Sequence, residues 1–338
     1  EINMGVDAFR DSLYAMLKRN TFLNIKFENM LDTLGEMSRT DLYSYLKEWE
    51  QLTPLPFYSI GEPELTKVVN KGGEEFFVLK VLVSNNSDYD GIIQMNVLQN
   101  GWWYQPMEDP RARKKVEIAA HTSKEFVSVW EEQIRDVEIN TMVSGNLPYM
   151  IRQSIGNVKQ ERNKIVKDTI YTLPESSLEM PGEVIVDNED STLFVLSTPA
   201  VVGLLPKWLD KVEDTSFKYS GISWWRAPLQ WTATTNAKYY GKYIRSAYVI
   251  KSGDGSQTAT WKIPVPEAGQ YELYYHVFKD DELRWNDRLQ GEYHFRVAYD
   301  SEMEDAYINL RKANEGWEQL GTYYFSADTV RVVLTDEC

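Results

Sequence analysis

The sequence predicts a mainly β protein: two β-sandwich domains, the first of them Ig-like, preceded by a short α-helical segment. Three observations carry that class. Apolar residues follow a helical period over residues 5–50 and a period of two from Phe57 onward. Short alternating runs then recur at the spacing of about 8–12 residues that antiparallel sandwiches show. The aromatic share is 13%, with 11 Trp and 21 Tyr, which suits packing on pleated surfaces. A chain of 338 residues with 43% hydrophobic content exceeds one ordinary domain and can fill more than one core.

Taken in order, residues 1–54 form the helical segment. Phe9, Leu13, Met16 and Leu17 share one face, then Phe27, Met30, Leu31 and Leu34, then Leu42, Tyr45, Leu46 and Trp49. Ser38 and Thr40 offer N-caps for a third helix, Asp41 suits its positive end, and "TPLP" at 53–56 stops it. Three short helices cannot bury their own stripes, so they are expected to pack on further chain. Residues 55–151 are the first sandwich, with strands in "EFFVLKVLVSNNSDYDGIIQMNVLQNG", "KKVEIAAHTSKEFVSVW" and "IRDVEINTMVSGNLPYMI". Residues 152–182 are polar and end in Pro and Ser, which predicts a linker. Residues 183–338 resume the alternation from "EVIVDNEDSTLFVLS" to a closing hairpin, "GWEQLGTYYFSADTVRVVLTD". Within them "EAGQYEL" is a turn feeding an alternating strand, with Tyr271, Leu273 and Tyr275 on one face and Glu272, Tyr274 and His276 on the other.

Charge and cysteine usage narrow the function. Asp and Glu outnumber Lys and Arg by 51 to 36, a formal charge of −15. That balance repels polyanions, so nucleic acid is not an expected partner. One cysteine, Cys338, excludes an internal disulfide. No apolar run is long enough to span a bilayer, so no membrane insertion by this stretch is expected. The chain opens inside a helical pattern with no leader-like segment, which reads as part of something longer.

Two resemblances rest on specific residues. "VIVDNED" at 184–190, "YYGKYIRSAY" at 239–248, "ATWKIPVPEAGQYELYYHV" at 259–277, "YHFRVAYD" at 293–300 and the closing stretch at 316–336 together resemble the golvesin C-terminal-like domain. That domain is also found appended to secreted polysaccharide enzymes such as xanthan lyases. The resemblance implies a golvesin/jelly-roll-like sandwich with an accessory, carbohydrate-linked role. This copy departs in two long insertions, around "GISWWRAPLQ" and "FKDDELRWNDRLQG". At the other end, "GVDAFRDSLYAMLKRNTFLNIKFENMLDTLGEMSRTDLYSYLKEWEQLTPLPFYSI" resembles the end of the catalytic domain of membrane-alanyl-type zinc aminopeptidases. The family's zinc helix does not carry over. Its H-E-x-x-H motif sets two imidazoles one turn apart, and His121, His276 and His294 lie in no such motif.

Chemistry-bearing residues are dispersed. Cys338 is terminal, no G-x-S-x-G elbow occurs, and "DNEDS", "KDDEL" and "DSEMED" lack a calcium-loop spacing. They read as solvated turns. No catalytic residue, metal site or cofactor is expected. Trp317, Tyr271, Tyr275, Tyr323 and Phe325 read as core. Trp224 and Trp225 are adjacent in a loop-like insertion; with Arg226, Trp285 and Asp287 they are the candidate ligand-binding residues, rings for stacking on a sugar and polar groups for its hydroxyls. The alternative for these tryptophans is a structural one, pinning domains together. The reading is a non-catalytic accessory region of a bacterial extracytoplasmic, cell-envelope protein, its partners an upstream peptidase-like domain of the same polypeptide and polysaccharide. A purely structural interdomain module and a hydrolase acting on glycans or peptides are the rivals.

Overall fold

In a computed structural model, the chain is described over residues 6–21, 26–38, 41–42, 55–98, 109–162, 166–175, 178, 182–197, 218–219, 227–279, 291–300, 302–326 and 328–337. It is mainly β and divides into two compact units. One comprises Glu1–Gly145 with Arg152–Ser176, the other Asn146–Ile151 with Ser177–Cys338.

The first unit opens with two helices, α1 (Val6–Arg19) and α2 (Phe27–Ser38), which pack on each other. Asp7 in the first turn of α1 and Lys18 and Arg19 in its last turn complement the helix dipole. The predicted stripes are only partly buried. Met16, Leu31 and Leu34 are covered, whereas Leu17 and Phe27 are exposed. The expected third helix falls almost wholly outside the described residues.

Ten strands come next: β1 (Tyr58–Ile60), β2 (Glu64–Val69), β3 (Glu75–Asn85), β4 (Gly91–Leu98), β5 (Arg113–Ile118), β6 (Thr122–Trp130), β7 (Asp136–Asn140), β8 (Met150–Ser154), β9 (Val158–Arg162) and β10 (Thr169–Pro174). They form one sheet in the order β10-β6-β3-β2-β9, with β1 beside β3, and a second in the order β5-β4-β7-β8. The β2–β3 hairpin closes on Asn70, whose side-chain oxygen accepts from the backbone N–H of Gly72 and Glu74, while Gly73 takes a φ of 84°. Only glycine adopts that angle without strain. Leu65, Leu79, Val81, Val83, Ile93, Met95, Phe126, Trp130 and Ile139 fill the core.

The expected linker at 152–182 is corrected here. β9 pairs parallel with β2, and β10 pairs antiparallel with β6. Both are edge strands of the first sheet, so most of their side chains meet water and only Val158 and Ile170 pack on the core. An edge strand with so few core positions carries no alternation to read. The boundary shifts with it: residues 146–151 belong to the second unit, where Leu147 pairs with Ile244.

The second unit holds β11 (Phe194–Leu196), β12 (Thr232–Thr235), β13 (Ser246–Val249), β14 (Thr258–Pro264), β15 (Gly269–Val277), β16 (Glu292–Tyr299), β17 (Glu302–Asn309), β18 (Gly316–Phe325) and β19 (Thr329–Thr335). A five-stranded sheet runs β11-β14-β19-β16-β17; β15 pairs with β18 and β12 with β13. The closing hairpin expected at 316–336 does not form. β18 pairs with β15, whereas β19 pairs with β14 and β16, so the turn between them passes from one sheet to another. Of the strand expected within 183–197, only Phe194–Leu196 forms. Asp187 and Asp190 accept from the backbone N–H groups of Glu189 and Thr192, Asx turns that compete with a ladder.

Candidate functional site: an aromatic cleft with a half-buried arginine

The site lies within the second unit and starts from the alternation of β15. Tyr271, Leu273 and Tyr275 turn inward onto Phe295, Tyr323 and Phe325, as the period-two pattern predicts. A cleft of about 850 Å³ remains beside them, within the roughly 300–1,000 Å³ range of small-ligand sites. Its wall is aromatic. Phe194 stacks on Tyr248 at 5.5 Å and lies 5.2 Å from Trp261, which meets Tyr275 edge-on at 6.0 Å. Trp231 completes the wall, and its buried indole N–H has no hydrogen-bond partner. A buried donor left unpaired costs about 1–3 kcal/mol.

Asp187, Asn188, Ser246 and Glu272 are polar groups that line the cleft, and Ser246 leads to a carboxylate behind the lining. Glu189 accepts from Lys218 Nζ at 2.7 Å, Tyr219 Oη at 2.9 Å and Ser246 Oγ. Burial works against its charge, but those hydrogen bonds prevail and hold the carboxyl below the usual range. Asp187, nearby in the chain, is pushed the other way by burial.

On the opposite side, the 236–245 loop carries two tyrosines. Asn236 Oδ1 accepts from the Lys238 N–H at 2.9 Å, and Gly241 approaches the Ile244 carbonyl so closely that a Cβ there would lie 2.0 Å from its oxygen. The loop sets Tyr239 edge-on to Phe278 at 4.7 Å. It also places Tyr240 4.8 Å from Trp317 and 5.5 Å from His276. His276 and Trp317 are cross-strand partners on β15 and β18, their rings 5.3 Å apart. Burial, reinforced by the Arg245 charge, lowers the His276 imidazole to about 4. It is neutral at pH 7 and offers one donor and one acceptor.

Arg245, at the end of the same loop, is half-buried. Its Nη1 donates to the Ala237 carbonyl at 2.8 Å. Among the described residues no carboxylate pairs with it, and burial lowers its pKa.

The five residues that the sequence singled out, Trp224, Trp225, Arg226, Trp285 and Asp287, lie outside the described residues. So does any packing role for the two insertions that carry them. The described site is instead built from Tyr240, Trp261, His276 and Trp317. Trp317 is a correction: expected in the core, it is 46% exposed. The cause is a bulge. Leu273 pairs with Gly321 but Tyr274 pairs with Gln319, so Leu320 is the extra residue and strand parity reverses before it. Counting back in twos from Phe325 therefore turns Trp317 the wrong way. The "YYGKY" run was the available signal for the loop, since a glycine between tyrosines marks a tight approach.

Among the described residues, no three His, Cys, Asp or Glu side chains gather as a metal site, and no helix is long and apolar enough to cross a membrane. Curated proteins give no match. A solved structure of a Paenibacillus xanthan lyase is similar over 84% of this chain, at 16% identity and a TM-score of 0.29. The chain covers 27% of the lyase's own length. Residues 224–337 match the family model of the Golvesin C-terminal domain. The segment from β12 to the end of β19 is thus similar to a golvesin C-terminal domain, as its sequence pattern implied.

Proposed function

We propose that this chain is a non-catalytic accessory region that binds carbohydrate through the second unit, in an extracytoplasmic protein whose upstream part is peptidase-like. One observation carries the reading: an exposed tryptophan, buttressed edge-on by Tyr240 and His276, stands at the rim of an aromatic cleft with hydrogen-bonding groups around it. Sugars present a flat C–H face to such rings and hydroxyls to the surrounding donors and acceptors. The similarity of residues 224–337 to a domain type expected in an accessory role supports the same reading. The work is adsorption, with no bond made or broken.

Affinity electrophoresis of the chain through gels containing neutral and acidic bacterial polysaccharides tests it. Retardation in at least one gel is expected, with Trp317→Ala weakening it by roughly tenfold or more and leaving the unfolding midpoint close to that of the parent. No retardation in any gel, together with a lowered midpoint for Trp317→Ala, would establish a structural module instead. Release of reducing ends from any polymer would establish a hydrolase.

A further inference from the structure

Building on the carbohydrate reading, we infer that Trp317 is one end of a three-ring platform, and that its ligand is an extended neutral polysaccharide gripped along several sugars. The platform is the outward face of the β15–β18 ribbon. Among the described residues these two strands pair only with each other, and their outward positions alternate with the inward Tyr271, Tyr275 and Tyr323. Tyr324 lies at one end of that face, 66% exposed, and Trp317 at the other. Between them Tyr274 is 43% exposed. The bulge at Leu320 brings Trp317 round to the side that Tyr324 occupies.

The spacing exceeds one sugar. Tyr324 is opposite Gln270 and Trp317 opposite His276, six residues further along β15, about 20 Å at the rise of a strand. Tyr274, opposite Gln319, is a diagonal neighbour of Trp317, about 7–8 Å away. Its Oη donates to Glu272 at 2.6 Å, which holds the ring along the ribbon.

The groups between the rings choose the occupant. Gln270, Gln319 and Thr322 face outward with Glu272, so amides, a hydroxyl and one carboxylate are interspersed with the rings. A protein partner would need a continuous apolar centre, and here polar side chains separate the rings. No outward position on the ribbon is Lys or Arg, in a chain of formal charge −15, so a polyanion meets only repulsion. A neutral sugar chain meets every group: its C–H faces lie on the three rings and its hydroxyls on the side chains between them.

Cellobiose, cellohexaose, hydroxyethylcellulose and carboxymethylcellulose serve as probes. They are a short and a long neutral chain of one linkage, then a neutral and an anionic polymer on the same backbone. In calorimetry the parent chain is expected to bind cellohexaose roughly tenfold or more tighter than cellobiose. In affinity gels hydroxyethylcellulose should retard it more than carboxymethylcellulose does. Tyr324→Ala should weaken cellohexaose binding roughly 3- to 10-fold and narrow the gap to cellobiose, with an unfolding midpoint near that of the parent. Tyr324→Phe, which keeps the ring, should bind as the parent does. Equal affinity for the two oligosaccharides, or parent-like binding of cellohexaose by Tyr324→Ala, would overturn the platform and leave a single-sugar site with the carbohydrate reading intact. Equal retardation by the two polymers would overturn the selection for a neutral chain. Binding of none of these probes, while an acidic polysaccharide still retards the chain, would overturn the neutral ligand alone. Failure of every polysaccharide would remove the carbohydrate reading itself.

Discussion

In the first unit every residue of the core cluster, from Leu65 to Trp130 and Ile139, is at most 2% exposed. In the second the cluster reaches 8% at Phe194, Ala313 and Tyr323, and a cleft of about 850 Å³ lies against it. Composition accounts for the contrast. The first core is largely Leu, Val, Ile and Met, whose branched or flexible side chains interdigitate until little space is left. The second is rich in Phe, Tyr and Trp in stacked and edge-on pairs, such as Tyr323 on Phe325 at 5.6 Å and Tyr275 on Phe295 at 4.9 Å. Stiff planar rings satisfy each other at set angles and leave gaps that aliphatic groups would fill. One sandwich is built to be full; the other holds a hollow lined with surfaces suited to a flat ligand.

The widest gap between the two should appear on deleting a ring from each core. Phe126→Ala in the first unit is expected to cost about 5 kcal/mol, the upper end for such a truncation, because its neighbours have no slack to collapse. Phe325→Ala, beside the cleft, should cost nearer to about 3 kcal/mol. Urea unfolding followed by hydrogen exchange at β3 and β6 for one unit and β16 and β19 for the other separates them. Equal losses would end the distinction.

A smaller effect tests the rim. Gly241→Ala drives a methyl against the Ile244 carbonyl, a backbone atom that cannot step aside, so the loop must move and carry Tyr240 off Trp317. A loss of about 1–3 kcal/mol in the second unit is expected, with retardation by polysaccharide falling roughly tenfold. Unchanged retardation would show that Tyr240 does not position the tryptophan.

The subtlest contrast lies in two histidines that titrate in opposite directions. His121 in the first unit adopts φ 52° and hydrogen-bonds Asp88 at 2.8 Å and Glu175 at 2.7 Å, which raises its pKa above 6.5. The folded state favours imidazolium there. Its contribution is complete below pH 6.5 and disappears as pH rises through the higher folded value. His276 is depressed to about 4 by burial and then by Arg245. Its contribution is complete above pH 6.5 and disappears as pH falls from there towards 4. Unit-resolved hydrogen exchange between about pH 4 and 8 should show the second unit loosening at the acid end, an effect that His276→Gln removes. His121→Gln should leave that acid loosening intact and flatten the first unit's profile near neutrality.

How much of this was legible varies with what a residue must satisfy. The inner face of β15 was plain because it alternates between core and solvent, whereas β3 and β6 showed as short apolar runs bounded by turns and are covered on both faces. β9 and β10 were hidden because they complete a sheet through backbone pairing, which any side chain permits. Asp187 and Asp190 defeated a strand that the flanking Val and Ile favoured, since side-chain oxygens captured the backbone locally. The described site escaped prediction for a related reason. Tyr240, His276 and Trp317 stand far apart in the chain and meet only through the register of β15 with β18 and the turn of one loop.

Leu320 shows how little sequence separates a lining from a landing surface. A strand is a two-beat reading frame, and one inserted beat exchanges inside for outside for everything upstream of it. Removing Leu320 would return Trp317 to the interior and lift Glu318 out in its place. A domain with this architecture can thus gain or lose an aromatic face by a single-codon insertion or deletion, without any substitution at the tryptophan itself.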